Sequence, residues 1–176
     1  MLQDTYIKAL DFAAKAHMGQ SIPGSEIPYI VHCTKVCMEI LFILKRRGDI
    51  DHGLCINCAL LHDVIEDTEI TYDDIIKEFG SSTADAVLAL TKNQDIEKNL
   101  RMTDSLERIK ASGPEAGIVK MADRITNLAP PPLLWNREKI VAYFHESGMI
   151  YSALKSLDHH LAKRLLEKIK MYKKYF

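Results

Sequence analysis

No apolar run in this chain is long enough to cross a bilayer. The most continuous, Ile40–Leu44, falls far short of the ~20 residues a spanning helix needs. The opening residues, Met1 to Tyr6, lack the basic and apolar regions of a secretory leader, so the expected setting is cytoplasmic with no membrane partner. Charge of either sign is not in excess. A formal net charge of −1 removes the electrostatic case for nucleic acid as a partner. Strand alternation is missing throughout, and so is any internal repeat. What remains is helical periodicity, and the expected fold is all-α. At 176 residues the simplest organisation is one domain over 1–176, large enough to bury a proper core.

Cysteine is scarce but suggestively placed: Cys33 with Cys37, and Cys55 with Cys58. A four-thiolate zinc site is one reading. Both pairs, however, sit within apolar helical sequence without the Gly-rich turns of zinc knuckles, so they read as small core residues on successive helical turns.

Helical elements follow one another closely. A first helix is expected over Leu2–His17, with Ile7, Leu10, Ala13 and Ala14 facing inward. A loop marked by Pro23-Gly24-Ser25 leads to a mostly buried helix from Pro28 to about Arg46. A central helix then runs from Leu54 to Asp67. Thr71 and Asp74 form a capping-box variant that opens a short helix ending at Gly80. Ser82 and Asp85 repeat the pattern for a helix reaching Thr91. A polar loop, Lys92–Asn99, precedes helices over Arg101–Ala111 and Glu115–Leu128. Pro130-Pro131-Pro132 blocks continuation. Asn136 caps a helix to about Leu157, with a bend anticipated at Gly148, and Asp158–Tyr175 closes the chain as a basic amphipathic helix whose apolar side packs on the domain.

The central helix carries the chemistry. Leu54–Leu61 is apolar on nearly every side, and His62, Asp63, Glu66 and Asp67 follow within six residues. Carboxylates clustered at the end of a buried helix repel one another, lose hydration and face the negative end of the dipole. A cation would relieve all three costs. His32 near the start of one buried helix, and Asp123 with Asn127 on one face of another, supply further candidates. A two-His, two-Asp set without thiolate suits an octahedral first-row cation such as manganese or iron.

His32, His62-Asp63 and Asp123 together resemble the HD phosphohydrolase superfamily. The longer strings Ala16-His17-Met18-Gly19-Gln20, Pro28-Tyr29-Ile30-Val31-His32, Leu60-Leu61-His62-Asp63-Val64-Ile65-Glu66-Asp67-Thr68 and Lys120-Met121-Ala122-Asp123-Arg124-Ile125-Thr126-Asn127-Leu128 look like small alarmone hydrolases. The resemblance runs from about residue 5 to 145. It implies a single-domain HD-type helical bundle with a metal site in its centre. It also implies one manganese ion held by His32, His62, Asp63 and Asp123. Glu66 and Asp67 would position or activate water, and Asn127 and Tyr143 would contact a phosphorylated nucleotide. The implied reaction removes the 3′-diphosphate of ppGpp or a relative such as ppApp and releases pyrophosphate. One departure stands out: where those hydrolases carry an Arg-Lys pair that helps hold substrate, this chain has Ile22 and Pro23. That departure supports an alternative, an HD nucleotidase or phosphatase for another phosphorylated nucleotide. A non-catalytic nucleotide sensor is a third reading, against which Glu66 and Asp67 argue.

Overall fold

Ten α-helices and a terminal turn of 3₁₀ helix make up the computed structural model, which describes residues 1–176. The helices are α1 (Leu2–Ala16), α2 (Ile30–Leu44), α3 (His52–Leu61), α4 (Val64–Asp67), α5 (Tyr72–Phe79), α6 (Ser81–Leu90), α7 (Arg101–Ser112), α8 (Pro114–Asn127), α9 (Arg137–Leu154) and α10 (His159–Tyr172). Extended pairing is confined to one isolated bridge, Ser21 with Pro28. No helix is long and apolar enough to cross a membrane.

The all-α expectation holds, and the reason lies in α3. Its residues Cys55, Ile56, Cys58, Ala59, Leu60 and Leu61 are all buried, so it must be enclosed on every side. It packs against α1, α2, α6 and α8. The Asp51 side chain caps it by accepting from the Leu54 amide at 2.9 Å, while the Asp51 amide donates to Glu115 at 2.9 Å, tying the start of α3 to the start of α8. One apolar cluster of 39 buried residues runs through the molecule. All four cysteines lie in it, fully buried and free, as core residues.

Several local expectations are corrected. On α1 the buried residues are Ala9 and Ala13, whereas Ile7 and Ala14 are exposed. Small side chains on that face let α1 approach α3 closely, and the larger Tyr6, Leu10 and Phe12 pack around the contact. Pro28 does not start α2. It lies in the bridge opposite Ser21, and α2 begins two residues later. The helix expected over Leu54–Asp67 breaks at His62-Asp63, so Glu66 and Asp67 belong to the separate one-turn α4. The capping box at Thr71 and Asp74 forms, but Ser82 does not cap α6, and Asp85 instead accepts from the Tyr72 hydroxyl at 2.6 Å. Gly148 leaves α9 continuous, and α9 ends at Leu154. The α10 expectation stands: Asp158 caps it, and Leu161, Leu165 and Ile169 are buried beneath its basic side.

The loop between α1 and α2 is a small hairpin. Ile22 donates to the Ile27 carbonyl at 2.8 Å, and Tyr29 to that of Gln20 at 2.9 Å. Gly24 turns it at a φ of 79°, a conformation that costs glycine little. A β-carbon there would come within 3.1 Å of Pro132, so this hairpin rests against the triple-proline segment.

Candidate metal centre

Three helices and a helix break converge at the middle of the bundle. His32 comes from the first turn of α2, His62 and Asp63 from the break between α3 and α4, and Asp123 from the last turns of α8. His32, His62 and Asp123 are buried and each places a donor atom within 4.8 Å of the others. The two Nε2 atoms are 3.2 Å apart. Asp123 Oδ1 lies 3.3 Å from His32 Nε2 and 3.7 Å from His62 Nε2. Asp63 Oδ2 lies 2.9 Å from His62 Nε2 and 3.8 Å from His32 Nε2. Three of the four side chains expected to share one ion, His32, His62 and Asp123, thus gather their donor atoms in one small volume, and Asp63 adjoins it beside His62.

Neighbouring atoms fix the imidazole tautomers. His62 Nδ1 is 3.0 Å from the Ala59 carbonyl, which only accepts, so Nδ1 carries the proton and Nε2 offers a lone pair. His32 Nδ1 meets Thr126 Oγ1 at 3.4 Å, and that hydroxyl spends its own proton on the Asp123 carbonyl at 2.8 Å. His32 Nε2 is therefore a lone pair as well. Two lone pairs and two carboxylate oxygens pointed at one another demand a positive charge, and a divalent cation meets that demand with a familiar orienting arrangement behind it. Burial opposes charge on His62, yet Asp63 and Asp123 outweigh it and push the ring up to about 9. Burial likewise opposes charge on both acids. His62 nevertheless holds Asp63 below the ordinary carboxylate range, and Lys120 with His32 and His62 does the same for Asp123. The donor set fits a hard, oxygen- and nitrogen-ligated ion.

Residues around the four complete their hydrogen bonding. The Tyr29 hydroxyl donates to Asp63 Oδ2, and burial beside Asp63 pushes the phenol above its ordinary range. Lys120, a buried lysine one turn before Asp123, approaches Asp123 Oδ2 at 3.4 Å. Asn127 donates to Asp123 Oδ1 at 2.5 Å. Gln20 donates from Nε2 to the Asp67 carbonyl at 2.6 Å and accepts from His17 Nδ1 at 2.8 Å, linking the end of α1 to α4. The His17 ring stacks on Tyr29, with centroids 4.7 Å apart. His17 itself is the C-cap that follows α1.

The sites expected for substrate and water are arranged differently from the simple pattern. Glu66 does not share space with His62 by helical spacing, because the break at Asp63 intervenes. Its carboxylate is held by Lys92, at 2.9 Å from the backbone amide and 3.1 Å from the ammonium. Asp67 stands beside it, and partial burial plus Asp63 and Glu66 push its carboxyl up to about 6. Asn127 is exposed at the end of α8. Tyr143, on α9, stacks beneath the Arg124 guanidinium at 3.9 Å and against Trp135 at 5.2 Å. Arg124 turns toward Ser147 and Glu146 of α9 and away from Asp123, so no ion pair joins these sequence neighbours. Ile22 is half-buried in the hairpin and Pro23 is exposed.

Sequence reading missed Tyr29, Lys92, Lys120 and Thr126. Lys120 stands at three-residue helical spacing from Asp123, and Tyr29 lies three residues before His32 in the same string. Lys92 left no local signal, because its partner is 26 residues away.

Comparison with known proteins places the chain in a family. A family model described as HD domain matches residues 9–157. The mouse guanosine-3′,5′-bis(diphosphate) 3′-pyrophosphohydrolase MESH1 is 30% identical over 164 residues, covering 90% of this chain and 89% of that protein. The enzyme named guanosine-3′,5′-bis(diphosphate) 3′-pyrophosphohydrolase from Aquifex aeolicus is 32% identical over 152 residues, 84% of this chain but 20% of its own length. A solved structure of a metazoan ortholog of SpoT that hydrolyses ppGpp superposes with a TM-score of 0.82 at 27% identity, covering 98% of this chain and 97% of the other. With a helical bundle that gathers histidine and aspartate at its centre and a family match over most of its length, the chain belongs to the HD domain family.

Proposed function

We propose that this protein is a manganese-dependent hydrolase of a nucleotide 3′-diphosphate, ppGpp or a related alarmone such as ppApp, and that it releases pyrophosphate. The facing lone pairs of His32 and His62 among carboxylates carry the reading, because that donor set fits a divalent cation. The relatives named as 3′-pyrophosphohydrolases give the substrate class.

His32, His62, Asp63 and Asp123 would hold the ion. When bound, it supplies Lewis acidity, polarising a phosphoryl oxygen and acidifying a water. The chain's own groups do the rest. Glu66 takes the proton of the attacking water, since manganese acidifies water less than zinc and a carboxylate base is useful. Asp67, beside Glu66, orients that base or the water. The bond from the water oxygen to phosphorus forms as the P–O3′ bond breaks, and the proton taken by Glu66 passes to the departing 3′-oxygen, so the products are pyrophosphate and a 3′-hydroxyl. Asn127 and Tyr143, at the ends of α8 and on α9, contact the nucleotide.

A second reading, an HD nucleotidase or phosphatase, draws on the hairpin. Neither Ile22 nor the exposed Pro23 can supply the charge-assisted grip on a polyphosphate that an Arg-Lys pair gives. A product assay with manganese against guanosine and adenosine 3′-diphosphate nucleotides, NADPH and common mononucleotides separates the two. Pyrophosphate and a 3′-hydroxyl nucleotide are expected. Orthophosphate released from mononucleotides, with the 3′-diphosphates left intact, would replace this function with the second.

A further inference from the structure

We propose that Lys92 is a positioning residue that fixes the carboxylate of Glu66, a role that rests on Glu66 being the water-activating base. Glu66 sits on α4, a helix of 4 residues whose single turn has little stiffness of its own. Something outside α4 must hold its side chain. Lys92 does so twice: its amide donates to Oε2 at 2.9 Å and its ammonium to Oε1 at 3.1 Å. Both oxygens of one carboxylate are thus taken by one residue from another element.

The support behind Lys92 is firm. It directly follows Thr91, the residue that closes α6. Arg108 of α7 grips that helix end, donating to the carbonyls of Leu88 at 2.7 Å, Ala89 at 3.1 Å and Thr91 at 2.9 Å. Asp104 holds the same guanidinium at 2.8 Å. The grip on Glu66 is therefore anchored through α6 to α7, two helices outside the metal centre. The ammonium also stays charged where it lies: burial opposes the charge, but Glu66, Asp123 and Asp63 outweigh that and raise its pKa.

A positioned base and a substrate-binding cation leave different kinetic signatures, since interactions made equally in ground and transition states move KM, whereas positioning moves kcat. Lys92→Met keeps the backbone amide and most of the side-chain length while removing the ammonium. With guanosine 3′,5′-bis(diphosphate) and saturating manganese, it should lower kcat by about 10- to 100-fold, the scale of a small misplacement of a catalytic group, with KM and metal content little changed. Lys92→Arg should recover most of the loss. In a Glu66→Gln background, Lys92→Met should cost nothing further, because the group it positions is gone. A raised KM at unchanged kcat would make Lys92 a phosphate contact and overturn the proposal. So would a full additive loss in the Glu66→Gln background, and that result would leave the role of Glu66 standing. Near-normal turnover of Glu66→Gln alone would sink the base assignment and this proposal together.

Discussion

His32 and His62 turn their Nε2 atoms toward each other across 3.2 Å, each ring oriented by an acceptor on its opposite nitrogen. That arrangement is unfavourable for two neutral imidazoles and favourable around a cation. It gives the centre a linkage between metal and protons.

In the metal-free protein the His62 ring is pushed up to about 9, so at pH 7 it carries a proton that the ion must displace. Manganese uptake at pH 7 should release about one proton, read by titration calorimetry in buffers of different ionisation enthalpy. Affinity should weaken as pH falls. Binding with no proton release at pH 7 would contradict the assignment of His62 as a ligand.

Tyr29→Phe removes the hydroxyl that donates to Asp63 and leaves the ring that stacks between His17 and His32. Partners behind metal ligands typically contribute 10- to 100-fold in affinity or activity, and a loss of about that size in manganese affinity is expected. Equal affinity in variant and parent, by competition with a chelator of known strength, would show that Asp63 needs no such support.

Asp67 titrates at about 6 in the fold, above its unfolded value near 3.9. The folded state therefore binds the proton more tightly, and the stability this contributes is present below pH ~4 and lost as pH rises through about 6. Asp67→Asn should melt close to the parent at pH 4. By pH 7 to 8, without metal, it should melt higher than the parent. His62, also raised, loses stability in the same direction but only as pH rises toward about 9, and comparing the two proteins cancels that shared trend. A difference in melting temperature that does not grow between pH 4 and pH 7 would refute the crowding of Asp63, Glu66 and Asp67.

Restoring charge to the hairpin tests substrate choice. Ile22→Arg with Pro23→Lys should lower KM for 3′-diphosphate nucleotides and change kcat little, because such contacts hold ground and transition states alike. Two well-placed charge-assisted bonds contribute roughly 2 to 4 kcal/mol. Freeing Pro23 also loosens a hairpin that rests on Pro132, which reduces the gain. Unchanged kinetics on every nucleotide would mean that the hairpin does not face the phosphates.

The sequence by itself determined the all-α architecture and marked the candidates for a metal centre. Helical periodicity and capping residues such as Asn136 and Asp158 act over three or four positions, a range a linear reading covers. Part of that centre was legible for a related reason: buried charge without a partner is so costly that His62-Asp63 at the end of an apolar stretch points to a cation, whereas His32 and Asp123 enter the set through the family resemblance. Only the tertiary structure decided how the centre is wired. The break at His62-Asp63 came from competing demands, since Asp63 is drawn to Tyr29 and His62 while Val64 returns to the core. Glu66 then depended on Lys92, 26 residues away, whose place is set by the α6–α7 contact. Arg124, next in sequence to Asp123, turned to α9 because successive side chains on a helix point about 100° apart. Which atoms meet across helices depends on packing angles and burial, and these arise only when the whole chain closes around α3.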